Sequence, residues 1–156
     1  MPSVLHEEFK SSIVDDIVQQ LRSVAEGTGR ASEFARRIKH GGSATITFDD
    51  LGYGRHEPDA LFRHREAQFP GVIIEISYTQ KGRDLARVAQ DYILGSGGNI
   101  RAVVGIDIDY KDKSATLSIW QPELQENGTG EEELITHQIL SNQVCSQWFC
   151  LIHTYT

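Results

Sequence analysis

Hydrophobic residues in the first forty positions follow a helical period. Apolar side chains recur every three to four residues from Leu5 to Val24, and this spacing predicts an amphipathic helix over residues 5–25. A second, shorter helix is predicted over residues 31–39, with Phe34 among its inward-facing side chains. The pair Gly41-Gly42 then ends the helical pattern, because glycine commonly terminates helices.

From Ser43 onward the pattern is mixed, and strands outnumber helices. Apolar residues alternating with polar ones predict strands. The expected strands and the one further helix are, in order, strands 43–49, 59–63 and 72–78, helix 82–94, and strands 101–109 and 114–120. A helix between two strands favours a parallel crossover. We expect a polar, glutamate-rich loop at 121–133, and an apolar segment at 134–156 that pairs with the sheet or covers it. The predicted fold is α/β (α+β), a mixed central sheet flanked by helices.

The size and charge of the chain exclude some classes of protein. The chain has 156 residues, of which 39% are hydrophobic, so we expect one packed domain over residues 1–156. The net charge of −7 argues against a protein that coats nucleic acid or anionic membranes by bulk charge alone. Neither a membrane-length apolar run nor a secretory signal is visible, so we expect an intracellular protein, in cytoplasm or nucleus, without a membrane partner.

Two carboxylates stand out on the predicted strands. Asp59 begins one strand, and Glu75 lies in the middle of the next, between Ile74 and Ile76. If the two strands are neighbours, these carboxylates approach each other, and they repel unless a proton or a cation lies between them. Mg²⁺ (or Mn²⁺), held by one or two carboxylates and by waters, fits this arrangement.

Structural roles for the same residues are the alternative. Asp59 follows a proline and could cap a turn. Glu75 could form an ion pair inside the core, with Arg63 or Arg87 as its partner.

The order of these motifs resembles a known superfamily. Pro58-Asp59, a gap of fifteen residues, a strand bearing Glu75-x-Ser77 and then a helix look like the PD-(D/E)XK nucleases. The segments PDALF and PGVIIEISYTQKGRDLARVAQDYILGSGGNIRAVVGIDIDY are similar to uncharacterised fungal proteins with a restriction-endonuclease-like domain. The resemblance covers a nuclease-like core at residues 30–122, preceded by an N-terminal helix (1–29) and followed by an acidic loop and apolar segment (123–156). It implies an αβββαβ core.

The resemblance also implies roles for individual residues. Asp59 and Glu75 match the metal-binding acids, and Glu33 is where an accessory metal ligand often lies in such enzymes. Ser77 stands where these nucleases carry their catalytic lysine, so Lys81, or alternatively Arg87, would have to supply that positive charge.

Two functions follow from this resemblance. The first is a divalent-metal-dependent phosphodiester hydrolase, or nuclease, that acts on DNA or RNA; cleavage of a duplex by two active sites would make it a homodimer. The alternative is a catalytically degenerate module of the same fold, used for binding or dimerisation. Residues 30–87 carry ten Lys and Arg against eight Asp and Glu, so the region of the predicted site is less acidic than the rest of the chain.

Overall fold

The chain folds as an α/β protein with helices on both faces of a central sheet. The computed structural model describes residues 4–48, 52–78 and 84–145, with the side chain of Leu5 left out. Within these ranges the helices are α1 (Val4–Ala25), α2 (Arg30–Arg37) and α3 (Leu85–Gly95). The strands are β1 (Ile38–His40), β2 (Ile46–Phe48), β3 (Gly54–His56), β4 (Ala60–His64), β5 (Val72–Tyr78), β6 (Ala102–Asp109), β7 (Ser114–Glu126) and β8 (Glu132–Val144).

Six of these strands form the main sheet, in the order β1-β4-β5-β6-β7-β8. Strands β5 and β6 are parallel and are connected through α3, which confirms the predicted crossover. The other neighbours in the sheet are antiparallel. Strands β2 and β3 form a separate two-stranded hairpin. The mixed sheet expected from the sequence is therefore present.

The alternation of side chains along β5 distributes the core over the two faces of the sheet. Ile74 and Ile76 pack with Phe9 and Ile13 of α1 on one face. Ile73 points to the opposite face, and a second cluster there contains the inward side of α3 and strand β2. Successive residues of a strand point to opposite faces, so one apolar strand serves both clusters.

The segment 121–133 was expected to be a loop, and this prediction is wrong. Strand β7 continues to Glu126 and β8 begins at Glu132, so most of the segment is a β-hairpin, in which Leu124 pairs with Leu134. The turn is held by the side chain of Asn127, whose Oδ1 accepts the backbone N–H groups of Thr129 and Glu131. Cross-strand pairing therefore overrides the polar composition.

Two further expectations differ from the structure. Phe34 was expected to face inward but is 60% exposed, because the buried side of α2 consists of Ser32 and Ala35. The strand expected at 43–49 is shortened to β2 and pairs with β3 outside the main sheet. Within the described ranges, no helix has the length and hydropathy required to cross a lipid bilayer.

Candidate functional site

Asp59 lies immediately before β4 and links the sheet to α1. Its Oδ2 accepts the backbone N–H of Ile76 at 2.7 Å. Its Oδ1 lies 2.9 Å from Nε2 of His6, and because an ionised carboxylate can only accept, the histidine nitrogen is the donor. The side chains of His6 and Asp59 are only 10% and 17% exposed. The carboxylate is therefore fixed by two donors in a nearly closed environment.

Glu75 is buried in the centre of β5, with 1% of its surface exposed. The hydroxyl of Tyr92, on the inward side of α3, donates a hydrogen bond of 2.6 Å to its Oε1. A buried charge is costly unless hydrogen bonds compensate it, so Tyr92 is a direct stabiliser of Glu75.

Glu75 lies on β5 and Asp59 immediately precedes the neighbouring strand β4, but their side-chain partners lie on opposite faces of the sheet. Ala60 pairs with Ile74 at the end of the β4–β5 ladder, so Asp59 and Glu75 are one position beyond that pair. Asp59 contacts α1 through His6, whereas Glu75 contacts α3 through Tyr92. Each carboxylate therefore links the sheet to a different helix.

Ser77 occupies the position at which the resemblance implies a lysine. It is 5% exposed, and its Oγ donates a hydrogen bond of 2.7 Å to Oδ1 of Asp107. The two residues are directly paired on the parallel strands β5 and β6. The hydroxyl at this position is thus committed to a cross-strand contact.

The remaining predicted site residues lie elsewhere. Glu33 is exposed on α2. Arg87 is exposed on α3, where it lines a cleft with Thr136 and Gln138 of β8. Lys81 lies outside the described residues. The roles predicted for these three residues stay predictions.

Sequence reasoning missed His6 and Tyr92 as partners of the two acids. His6 shares the inward face of α1 with Phe9 and Ile13, which are three and seven positions further on. Tyr92 was expected on the inward face of its helix, and it is fully buried there. Helical spacing could therefore indicate that both side chains face the sheet, but not which carboxylate each one contacts.

A hydrated divalent ion at Glu75 would have to share a closed site with the Tyr92 hydroxyl. Mg²⁺ keeps several of its waters when a protein binds it through one or two carboxylates. Glu75 is 1% exposed and accepts the Tyr92 hydroxyl, which leaves little room for a hydrated ion at this side chain. Among the described residues, no group of three or more His, Cys, Asp or Glu side chains is arranged to hold a metal.

Comparison with known proteins adds no relative to this picture. No protein-family model matches the chain, and no curated protein or solved structure matches it significantly.

Proposed function

We propose that this chain is a catalytically degenerate module of the restriction-endonuclease-like fold, and that it binds nucleic acid. One observation carries the loss of catalysis: all three motif positions are engaged in internal hydrogen bonds. Asp59 accepts from Ile76 and His6, Glu75 accepts from Tyr92, and Ser77 donates to its neighbour on β6. Groups that are engaged in these internal contacts are not available to a substrate.

The topology supports the fold assignment in this proposal. In chain order, the main-sheet elements from α2 to β6 are a helix, three strands, a helix and a strand. The three strands β1, β4 and β5 are consecutive and antiparallel, and β6 is added in parallel. This order agrees with an αβββαβ core that carries the β2–β3 hairpin as an insertion.

A metal-dependent nuclease is the second candidate. It is favoured by the position of Asp59 beside β5, where its carboxylate accepts the N–H of Ile76, the residue that follows Glu75. In this candidate the two acids would hold Mg²⁺ or Mn²⁺ only after His6 and Tyr92 give up their contacts. The geometry supports it less well for that reason.

Binding and cleavage measured separately distinguish the two candidates. Wild-type protein is titrated in EDTA into a short fluorescein-labelled oligonucleotide, and binding is measured by fluorescence anisotropy. Cleavage of DNA and RNA is measured in separate reactions that contain Mg²⁺ or Mn²⁺. We expect salt-dependent binding and no metal-dependent cleavage. Glu75→Gln and Asp59→Asn serve as paired variants, so that one of them remains informative if the other does not fold.

Two results would contradict the proposal. Cleavage that requires the metal and is lost in a folded Glu75→Gln or Asp59→Asn protein would overturn the degenerate module and establish the nuclease. Absence of binding at low salt by the folded wild-type protein would overturn nucleic-acid binding itself.

A further inference from the structure

A groove of about 500 Å³ lies beside the β1–β4 edge of the main sheet. Strand β2 lines one side of it through Ile46 and Thr47, together with the preceding Thr45. Lys39 of β1, Arg63 of β4 and Arg65 line it as well, and all three are exposed. Among the described residues that line this groove there is no carboxylate. We call it the cationic groove.

Pairing in the sheet forces two of these cations together. Lys39 and Arg63 are directly opposite each other on the antiparallel strands β1 and β4. Side chains in such a pair have Cβ atoms about 4.5–5.5 Å apart, and like charges placed there are destabilising. A neutral residue at either position would remove this repulsion, yet both positions carry a positive charge.

The described carboxylates near the groove are ion-paired with other cations. Within the described part of the chain, the ion pairs on this side of the molecule belong to other cations, Arg37 with Glu66 and Arg55 with Glu57. No ion pair there involves Lys39, Arg63 or Arg65. An anion bound in the groove would relieve the repulsion, which makes the groove a candidate anion site rather than a solvated charged surface.

The other lining residues favour a nucleotide over an acidic peptide. Thr47 is exposed at the groove and can donate a hydroxyl hydrogen bond to a phosphate oxygen, whereas the hydroxyl of Thr45 donates to Oε1 of Glu57 at 3.5 Å. Phe69 is partly exposed and stacks on Phe48, with ring centroids 6.0 Å apart. A positive groove combined with an aromatic ring is the arrangement with which proteins bind single strands, whose bases are free to stack.

We propose that the cationic groove binds the phosphate backbone of single-stranded nucleic acid through Lys39, Arg63 and Arg65. This assignment rests on the nucleic-acid-binding function proposed above, and it names the surface and the strand type.

The groove also adjoins the candidate site. Arg63 and Asp59 are four residues apart along the chain, about 13 Å in an extended strand. Ser43, next to the groove residue Ala44, donates a hydrogen bond to the carbonyl oxygen of Asp59 at 3.0 Å. A strand bound along β4 would therefore run toward Asp59.

Two double variants with the same loss of charge test the groove. Lys39→Gln/Arg63→Gln removes one lysine and one arginine from the groove, whereas Arg101→Gln/Lys111→Gln removes one of each from exposed positions elsewhere. Binding of a labelled single strand is measured in EDTA between about 50 and 200 mM salt, and the slope of log affinity against log salt is about −0.7 per phosphate contact.

We expect the groove variant to bind at least tenfold more weakly than wild type at low salt. Its salt slope should be shallower by about 1.4, the loss of two phosphate contacts. The control variant should bind within about twofold of wild type, since neither Arg101 nor Lys111 lines the groove.

A charge reversal separates binding from stability. Lys39→Glu turns the like-charge pair with Arg63 into an opposite-charge pair, so we expect a higher Tm together with weaker binding of the single strand. A purely structural role for Lys39 would change Tm and leave binding unaltered, and that result would contradict the proposal.

The remaining outcomes are equally decisive. Equal binding by the groove and control variants would overturn the groove while leaving nucleic-acid binding intact. Tighter binding of a duplex than of a single strand, or equal competition by poly-glutamate, would overturn the assigned ligand. No binding by wild type would instead refute the proposed function, and because EDTA is present, none of these results depends on cleavage.

Discussion

At the scale of single residues, Glu75 presents the largest energetic problem in the sheet. Its neighbours on β5 are isoleucines, and a charge in such surroundings is costly by several kcal/mol unless donors surround it. The Tyr92 hydroxyl lies 2.6 Å from its Oε1 and supplies one such donor from α3. The same bond attaches α3 to the centre of the sheet.

Removal of this hydroxyl gives the first stability prediction. We expect Tyr92→Phe to lower the free energy of unfolding by about 2 kcal/mol, because a buried carboxylate loses a hydrogen-bond donor. Tyr110→Phe, at a side chain that is 37% exposed, is the matched control and should cost less than about 0.5 kcal/mol. Urea denaturation measures both.

A double-mutant cycle isolates the contact itself. With Glu75→Gln as the second change, the coupling energy to Tyr92→Phe should be at least about 1 kcal/mol. Strict additivity of the two substitutions would contradict a direct stabilising bond.

At the scale of elements, the β2–β3 hairpin is positioned by α3. Gly95, the last residue of α3, lies under the ring of Phe48: a Cβ at this position would be 2.8 Å from the ring Cγ. On β3, Nε2 of His56 donates to the carbonyl oxygen of Tyr53 at 2.9 Å and lies 3.3 Å from Oδ2 of Asp91. These contacts position strand β2, which lines one side of the cationic groove.

The close approach at Gly95 can be tested by adding a methyl group. Alanine would favour the helix by up to about 1 kcal/mol, but overpacking against an aromatic ring typically costs about 1–3 kcal/mol. Because Phe48 is enclosed by other rings, we expect the clash to dominate and Gly95→Ala to be destabilising in urea. Gly71→Ala, where nothing lies within 4 Å of the added Cβ, should change stability by less than about 0.5 kcal/mol. Equal effects of the two substitutions would contradict this packing.

At the scale of the whole molecule, the two hydrophobic clusters share the central strands. Residues of β4, β5 and β6 contribute to the α1 cluster and also to the α3 cluster. Asp59 and Glu75 add one polar contact to each helix. A substitution that destabilises one face of the sheet should therefore also destabilise the other face.

The substitution Phe9→Ala tests this coupling. Phe9 is 4% exposed in the α1 cluster, so we expect a loss of about 3–5 kcal/mol. In a Trp148→Phe background, the emission of Trp120 reports the α3 face and far-UV circular dichroism reports the whole chain. Both signals should shift to the same lower urea midpoint. A separate, unshifted Trp120 transition would mean that the two faces unfold independently.

The sequence best predicted those features of the structure that depend on residues close together in the chain. Strand β5 was predicted with the observed bounds, and the helices at 5–25 and 82–94 begin and end within a few residues of α1 and α3. Hydrophobic periodicity reflects which face of a helix or strand is buried, and this is a local property. The same periodicity placed Glu75 inside a core strand.

Contacts between distant segments were decided by the tertiary structure. Three-residue β1 is too short to have a period of its own, yet it joins the main sheet, whereas the more regular β2 pairs outside it. The partners of Asp59 and Glu75 are 53 and 17 residues away in the chain, on helices that pack on opposite faces. Periodicity assigns a side chain to a face, but register and helix docking select the atoms that it meets. These long-range choices gave Asp59 and Glu75 partners on different helices, and they brought Lys39 opposite Arg63.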